Sequence, residues 1–192
     1  MRSEYERPRM TRAMIVAPHP DDAELAMGGT TLKMVECGWD VTVVDLTDGE
    51  PTPYGSLETR RKETQEATDI LGITKRCCLG MPNRYLQATL ENRRILAETI
   101  RLHKPDLLFG PTISDHHPDH MEAARLVDGA RFEAKLHKID MQGTPHWVVR
   151  EYAYCADYWF HHSDPSFVVD ITEQWKKKAD AIQAYHSQIN RS

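Results

Sequence analysis

Short apolar runs alternate with helix-like segments along this chain, and this alternation constrains the fold more than any other feature of the sequence. The run 13–17 (Ala-Met-Ile-Val-Ala) is followed by a segment with helical spacing at 30–37 and by a second apolar run at 39–46. A strand, a helix and a second strand form a βαβ unit, which favours a parallel sheet with a right-handed crossover. The sequence therefore predicts an α/β fold with a mostly parallel sheet.

The rest of the chain continues the same alternation. Gly72 and the Lys104-Pro105 pair mark the ends of two helices, and Pro118 suits the first position of a third. Apolar runs between the helices predict further short strands. The predicted elements after residue 46 are, in chain order, a helix at 57–71, a strand at 76–79, a helix at 90–103, a strand at 106–110, a helix from Pro118, strands near 147–156 and 167–171, and a last helix from Glu173.

Length, charge and cysteine content narrow the classes of protein to which the chain can belong. At 192 residues the chain fits one domain, 1–192, with a polar leader over residues 1–12. A formal net charge of −5 without a block of like charges predicts no nucleic-acid partner. No stretch reaches the roughly 18 apolar residues of a membrane span, so no membrane partner is expected. The cysteines lack a C-x-x-C pair, which predicts reduced thiols in a cytoplasmic protein.

Two polar clusters leave the carboxyl ends of predicted strands. His19-Pro-Asp-Asp22 follows the first strand, and His117-Pro-Asp-His120 follows the strand at 106–110. Ligands bind at this edge of doubly wound sheets. The first loop matches neither G-x-G-x-x-G nor a P-loop, so a nucleotide is not the expected ligand.

The side chains of these clusters predict a metal site at the carboxyl ends of the strands. A catalytic zinc ion takes three protein ligands and a water molecule. His19, Asp22 and His120 can supply two imidazoles and a carboxylate. The same donors also suit Fe(II) with open positions. Asp21 is then free beside the metal, which makes it the natural general base.

Neighbouring residues suit supporting roles. His117 and His120 lie on one face of the first turn of a helix, so one can bind the metal while the other faces the substrate. Asp119 can hold that second imidazole in its useful tautomer. Glu24 can orient a metal ligand, or its charge can stabilise the N-terminus of the following helix. The His161-His162 pair is not expected to bind metal, because adjacent side chains of an extended segment point to opposite faces.

These residues resemble the motifs of a known family. The run 17–24 (Ala-Pro-His-Pro-Asp-Asp-Ala-Glu) with Gly28-Gly29-Thr30 resembles the signature of PIG-L/LmbE-like N-acetylglucosaminyl deacetylases, and 115–120 (Asp-His-His-Pro-Asp-His) resembles their second signature. Similar segments between them are 46–50 (Leu-Thr-Asp-Gly-Glu), 60–63 (Arg-Arg-Lys-Glu), Ala67 and Leu71-Gly72, so the likeness runs from residue 13 to 190. The overall pattern is most similar to small bacterial members, including the N-acetylglucosaminyl-malate deacetylase of bacillithiol synthesis.

The resemblance implies a Rossmann-like three-layer sandwich and gives roles to the same residues. It implies a zinc ion bound by His19, Asp22 and His120. Asp21 matches the base of the family, and His117 matches its oxyanion-stabilising histidine.

Two more residues are implied at the substrate. Arg60 matches an arginine that the family places near the substrate, and Asn83 falls where relatives commonly have aspartate after proline. Asn83 can still form a hydrogen bond with a sugar hydroxyl. Relatives continue past 184–188 (Ala-Tyr-His-Ser-Gln) with a segment that helps to close the pocket, and this chain is expected to lack it. Relatives also assemble as homo-oligomers, either trimers or hexamers.

The expected function is zinc-dependent hydrolysis of the N-acetyl group of an N-acetylglucosamine-type substrate, which releases acetate and a free amino sugar. Two alternatives stay open. The same chemistry suits an amidase that acts on a thiol conjugate or another acyl amide, and the fold also suits a non-catalytic module that binds a sugar or a metal. The complete set of ligands with Asp21 beside it favours an enzyme over the binding module.

Overall fold

The computed structural model describes residues 10–156 and 164–189. Most of the predicted polar leader and the His161-His162 pair lie outside these residues. No helix among the described residues is long and apolar enough to span a membrane.

A single parallel sheet is the centre of the described fold. Its strands are β1 (Arg12–Ala17), β2 (Asp40–Thr47), β3 (Lys75–Met81), β4 (Leu107–Pro111) and β5 (Arg150–Tyr154). They lie in the order β3-β2-β1-β4-β5, and every neighbouring pair is parallel. This confirms the predicted α/β fold. The order reverses between β1 and β4, and a crevice opens at such a point beyond the carboxyl ends of the strands.

Helices cover both faces of the sheet, so the fold has three layers. They are α1 (Gly28–Glu36), α2 (Leu57–Leu71), α3 (Leu90–His103), α4 (Pro118–Ala134), α5 (Trp175–Gln183) and α6 (His186–Ile189). A π-helical turn at Ala23–Met27 leads into α1, and a 3-10 turn at Thr172–Gln174 leads into α5. Helices α3 and α4 share one core with the sheet, whereas α1, α2 and α5 share the core on the other face.

Strand β1 explains why both faces must be covered. Met14 and Val16 belong to the core under α3 and α4, whereas Ala13, Ile15 and Ala17 belong to the core on the opposite face. All five side chains are at most 1% exposed. A strand that is buried on both faces has a continuous apolar run in place of an alternating one, and this is why the run at 13–17 indicates a central strand.

Capping residues place the ends of α2 and α3 where the sequence predicts them. The Ser56 hydroxyl accepts the Thr59 N–H at 3.1 Å before α2, and the Thr89 hydroxyl accepts the Asn92 N–H at 3.2 Å before α3. Helix α2 ends at Gly72, whose φ of 70° is the left-handed conformation that glycine favours.

The predicted strand at 167–171 is wrong. Phe167 and Val168 are 55% and 82% exposed, and no strand of the described sheet pairs with this segment. An apolar run becomes a strand only where a neighbouring strand accepts its backbone hydrogen bonds. Ile171 packs against α1 instead, at a point where a Cβ atom on Gly29 would lie 2.5 Å from its side chain.

Three boundaries also differ from the prediction. The first helix begins at Gly28 and is preceded by the π-helical turn, so it is longer than the predicted segment at 30–37. Strand β3 runs from Lys75 to Met81, so it extends beyond both ends of the predicted strand at 76–79. The last helix starts as the 3-10 turn and becomes α-helical at Trp175.

Candidate active site

The two polar clusters meet because β1 and β4 are neighbours in the sheet. Ile15 of β1 pairs with Phe109 of β4, so the loops that follow the two strands leave the same edge side by side. The first loop carries His19 to Asp22, and the second carries Asp115 to His117 and leads into the first turn of α4, which carries Asp119 and His120.

The predicted metal ligands converge at this edge. Asp22 Oδ2 lies 3.1 Å from His19 Nδ1 and 3.3 Å from His120 Nε2. One potential ligand atom from each of the three residues lies within 4.8 Å of the others. Two imidazole nitrogens and a carboxylate oxygen are a donor set that zinc binds in catalytic sites. The three residues therefore fit a single divalent cation.

The charges around these donors favour a positive charge between them. Burial opposes the charged forms, but hydrogen bonds from His120 and His19 hold the pKa of Asp22 well below its usual range. Although burial lowers it, hydrogen bonds with Asp119 and Asp22 raise the pKa of His19 to about 10. The pKa of His120 is raised in the same way by Asp22 and Asp115. A bound cation would meet the same electrostatic demand.

A second group of donors overlaps the first. His19, His117 and Asp119 also place one potential ligand atom each within 4.8 Å of one another. His19 belongs to both groups, but its two ring nitrogens face different carboxylates. Nδ1 faces Asp22 at 3.1 Å, and Nε2 faces Asp119 at 3.0 Å.

Asp21 lies beside the donors without belonging to either donor group found among the described residues. Its φ of 120° is rarely adopted by residues other than glycine, and such strain is frequent at active sites. The Arg60 Nη2 donates to Asp21 Oδ2 at 2.9 Å and also to the carbonyl oxygen of Pro20. Burial and the Asp22 charge raise the pKa of Asp21 to about 7, against the opposing effect of Arg60. A carboxyl group with this pKa suits proton transfer near neutral pH.

His117 is the N-cap of α4 and is exposed towards the cleft. Its Nδ1 accepts the backbone N–H of Asp119 at 3.2 Å, so a neutral ring carries its proton on Nε2. Burial and the neighbouring His19 and His120 lower the pKa of His117, which favours this neutral form. The Nε2–H group is therefore available to a ligand.

The Asp119 carboxylate lies near the His117 ring, its predicted partner, but its hydrogen bonds in the described structure go to other groups. Oδ2 accepts from His19 Nε2 at 3.0 Å and from the backbone N–H of Arg84 at 2.7 Å, and Oδ1 accepts from the backbone N–H of Leu86 at 3.2 Å. Asp119 therefore orients a candidate ligand and connects it to the loop between β3 and α3. Sequence spacing suggests only the near neighbour, because this loop is remote in the chain.

Among the described residues, Glu24 bonds to none of the metal ligands that it was predicted to orient, although it lies in the first turn of the π-helical segment that leads into α1, as the alternative prediction requires. Its Oε1 accepts from Arg76 Nη1 at 2.5 Å and from the Tyr185 hydroxyl at 3.2 Å. Arg76 in turn binds both carboxylate oxygens of Asp45, at 2.7 and 2.9 Å. Within the described part of the chain, Glu24 forms no hydrogen bond with His19, Asp22 or His120. It belongs to a buried ion cluster that joins β2 and β3 to the C-terminal segment.

Asp115 also contacts a candidate ligand, although the sequence predicted no role for it. Its Oδ2 lies 2.9 Å from His120 Nδ1, and its Oδ1 accepts the backbone N–H of His117 at 2.8 Å. Its place five residues before His120 gives no helical or strand periodicity from which the contact could be inferred.

An open cleft of about 200 Å³ lies in front of the candidate ligands. The predicted substrate residues Arg60 and Asn83 line this cleft together with Asp21 and His117. The other lining residues are His19, Gly49, Pro51, Thr52, Arg84 and Gln188. Arg60 is only 3% exposed, and its guanidinium group contacts Asp21, the Pro20 carbonyl oxygen and the Tyr185 ring. Gln188 was not predicted, because it comes from α6 near the other end of the chain.

Comparison with known proteins gives the class. A family model described as GlcNAc-PI de-N-acetylase (PIG-L) matches residues 14–130. The structure resembles that of a conserved protein from Thermus thermophilus, with a TM-score of 0.87 and 39% identity over 93% of this chain and 80% of that chain. It also resembles N,N'-diacetylchitobiose deacetylase from Pyrococcus horikoshii, with a TM-score of 0.82 and 27% identity over 95% and 72% of the two chains.

A third relative is the probable N-acetyl-alpha-D-glucosaminyl L-malate deacetylase 2 of Bacillus anthracis, which is 29% identical over 92% of this chain and 80% of its own length. The chain therefore belongs to the PIG-L family, and it is a deacetylase, an enzyme of the hydrolase class.

Proposed function

We propose that the chain removes the acetyl group from an N-acetylglucosamine-type substrate with the help of one divalent cation, and that this cation is zinc. The convergence of His19, Asp22 and His120 beside Asp21 carries the proposal. The names of the Pyrococcus and Bacillus relatives, which share the N-acetylated glucosamine unit, support the substrate class.

The metal site supplies the activation of water. A divalent cation bound at the three donors would lower the pKa of a water molecule and polarise the acetamide carbonyl. Asp21 accepts a proton from the attacking water, because its carboxylate is next to the donors and is not among them. Arg60 holds Asp21 in place through the 2.9 Å contact.

His117 and Asp21 complete the reaction. The Nε2–H group of His117 donates a hydrogen bond to the carbonyl oxygen while negative charge develops on it. Asp21 then returns the proton to the nitrogen of the leaving amine as the C–N bond breaks. Water and the amide are thereby converted to acetate and a free amine.

The substrate class is tested with an acetate-release assay. Protein loaded with one equivalent of zinc is incubated with N-acetylglucosamine, N,N'-diacetylchitobiose, the malate glycoside of N-acetylglucosamine and N-acetylcysteine. We expect acetate from at least one of the glucosamine compounds, with activity lost in EDTA and restored by zinc. Hydrolysis of N-acetylcysteine alone would favour the amidase alternative. Zinc binding without any hydrolysis would favour a binding module.

The metal is identified by elemental analysis of protein purified without added metal. We expect zinc at one equivalent per chain. Iron at that level, with activity supported by Fe(II) and not by zinc, would replace zinc in the proposal.

Assembly and location remain proposals that rest on the family resemblance and on the cysteine pattern. We expect a homo-oligomer, a trimer or a hexamer, that works in the cytoplasm. Light scattering of the purified protein tests the assembly, and a mass equal to one chain would contradict it.

A further inference from the structure

We propose that Asp115 is a positioning residue that holds the His120 ring with Nε2 facing the cation position. The inference rests on the proposed function, because it assumes that His120 binds a cation. It concerns a carboxylate that is 8% exposed and that does not itself line the cleft.

The two carboxylate oxygens of Asp115 bond to different groups. Oδ1 accepts the backbone N–H of His117 at 2.8 Å, which fixes the turn before α4. Oδ2 lies 2.9 Å from His120 Nδ1, on the opposite side of the ring from Asp22. One carboxylate therefore sets both the path of the loop and the direction of the imidazole.

The contact with Asp115 determines which nitrogen of the His120 ring carries the proton. A carboxylate can only accept a hydrogen bond, so the ring nitrogen that faces Asp115 must carry a proton. In a neutral ring the other nitrogen, Nε2, then has a free electron pair. Nε2 is the atom that lies 3.3 Å from Asp22 Oδ2, among the cation donors. Metal ligation needs this unprotonated nitrogen.

The His19 ring lies between two carboxylates in the same way as the His120 ring. Asp119 lies 3.0 Å from His19 Nε2, so the neutral ring directs Nδ1 towards Asp22 at 3.1 Å. Each candidate imidazole thus has a carboxylate on its far side and Asp22 on its near side. Carboxylates in this outer position fix the ring orientation and raise the basicity of a metal ligand. The same arrangement on both rings is what a cation site requires.

Asp115→Asn separates positioning from loop structure. The amide oxygen can still accept the His117 N–H, so the turn before α4 is retained. The amide nitrogen then donates towards His120 Nδ1, which favours the tautomer with its proton on Nε2. We expect zinc affinity, measured by competition with a chelator, to fall about 10- to 100-fold. The metal-free protein should keep its melting temperature.

The control is Asp128→Asn, which removes the same charge from an exposed position of α4. We expect it to bind zinc like the wild type. If the zinc affinity of Asp115→Asn also stays within threefold of the wild type, the inference is wrong.

A double-mutant cycle keeps the inference testable if Asp115→Asn is destabilised. In the His120→Ala background, Asp115→Asn should weaken the remaining zinc binding no further, because Asp115 acts through the His120 ring. An equal loss in both backgrounds would show that Asp115 acts through the fold, and would overturn the inference. These measurements do not depend on acetate release. A wild-type protein that binds zinc and hydrolyses no amide would defeat the proposed function and leave the role of Asp115 intact.

Discussion

The two walls of the cleft are built differently. The metal wall, formed by His19, Asp22 and His120, comes from the loop after β1 and the first turn of α4, and its side chains are bonded to one another or to buried carboxylates. The outer wall, formed by Thr52, Asn83, Arg84 and Gln188, comes from three distant segments, and its side chains other than the exposed Arg84 are neutral and half-buried. We therefore expect the reaction to depend on the metal wall and the choice of substrate to depend on the outer wall.

The segment that carries Gln188 is attached to the fold by specific contacts. Glu63 accepts the backbone N–H of Ser187 at 2.7 Å and its hydroxyl at 2.8 Å. Tyr185 is 1% exposed, and its ring lies 5.2 Å from the Arg60 guanidinium carbon. Gln188 donates to the Thr52 hydroxyl at 3.3 Å. The outer wall is therefore anchored, although its cleft-facing groups are not enclosed.

The largest effect is expected from Asp21→Asn at the metal wall. Asparagine has nearly the same shape as aspartate and so preserves the contacts that hold this backbone conformation, but its amide cannot accept a proton from water. We expect kcat to fall by about 10²- to 10⁴-fold, while zinc content stays at the wild-type level. The control is again Asp128→Asn. Full turnover by Asp21→Asn would rule out its role as the base.

His120→Ala should act on metal binding before it acts on turnover. Loss of a residue that only bonds to a metal ligand weakens metal affinity by up to about 100-fold. Loss of one of the three ligands themselves should therefore weaken zinc affinity by at least about 100-fold. Zinc content after dialysis measures this. His116→Ala is the matched control, because His116 is an exposed histidine of the loop that leads into α4. Equal zinc content in the two variants would contradict the assignment of His120.

Arg60→Gln should move the pH dependence of kcat. Arg60 lowers the pKa of Asp21, so its loss raises that pKa above about 7 and protonates the base at neutral pH. A rise of one pKa unit reduces kcat about tenfold on the acidic side, and activity returns as pH increases. Arg61→Gln, an exposed neighbour, should leave the profile unchanged. An unshifted acidic limb in Arg60→Gln would show that the ion pair does not tune the base.

The smallest effect is expected from Gln188→Ala at the outer wall. Loss of one hydrogen bond to substrate corresponds to about 0.5–1.5 kcal/mol, a rise in KM of roughly two- to tenfold, with kcat nearly constant. Steady-state kinetics with the best glucosamine compound measures the split. Gln183→Ala, an exposed glutamine of α5, is the control. A fall in kcat with constant KM would place Gln188 in the chemical step and would blur the distinction between the walls.

The metal wall and the central fold are readable from the sequence because local signals determine them. Gly72 and the Lys104-Pro105 pair predict where α2 and α3 end, and the apolar run at 13–17 predicts β1. The spacing of His19 and Asp22 brings both side chains to one tight turn. In these places short-range chemistry and the final structure agree.

The remaining features depend on contacts between remote segments. Glu24 bonds to Tyr185, 161 residues away in the chain, so no local pattern reveals its partner. The segment at 167–171 has strand-like residues, but its place in the described structure has no strand beside it. Gln188 enters the cleft only because α6 is attached to α2 through Glu63.

We propose that one cation binds between His19, Asp22 and His120. Crystals of protein loaded with one equivalent of zinc, measured at the zinc absorption edge, test it directly. We predict one anomalous peak at about 2.0–2.2 Å from His19 Nδ1, His120 Nε2 and an Asp22 oxygen. A peak between His19 Nε2, His117 and Asp119, or no peak at this edge of the sheet, would contradict the proposed cation site.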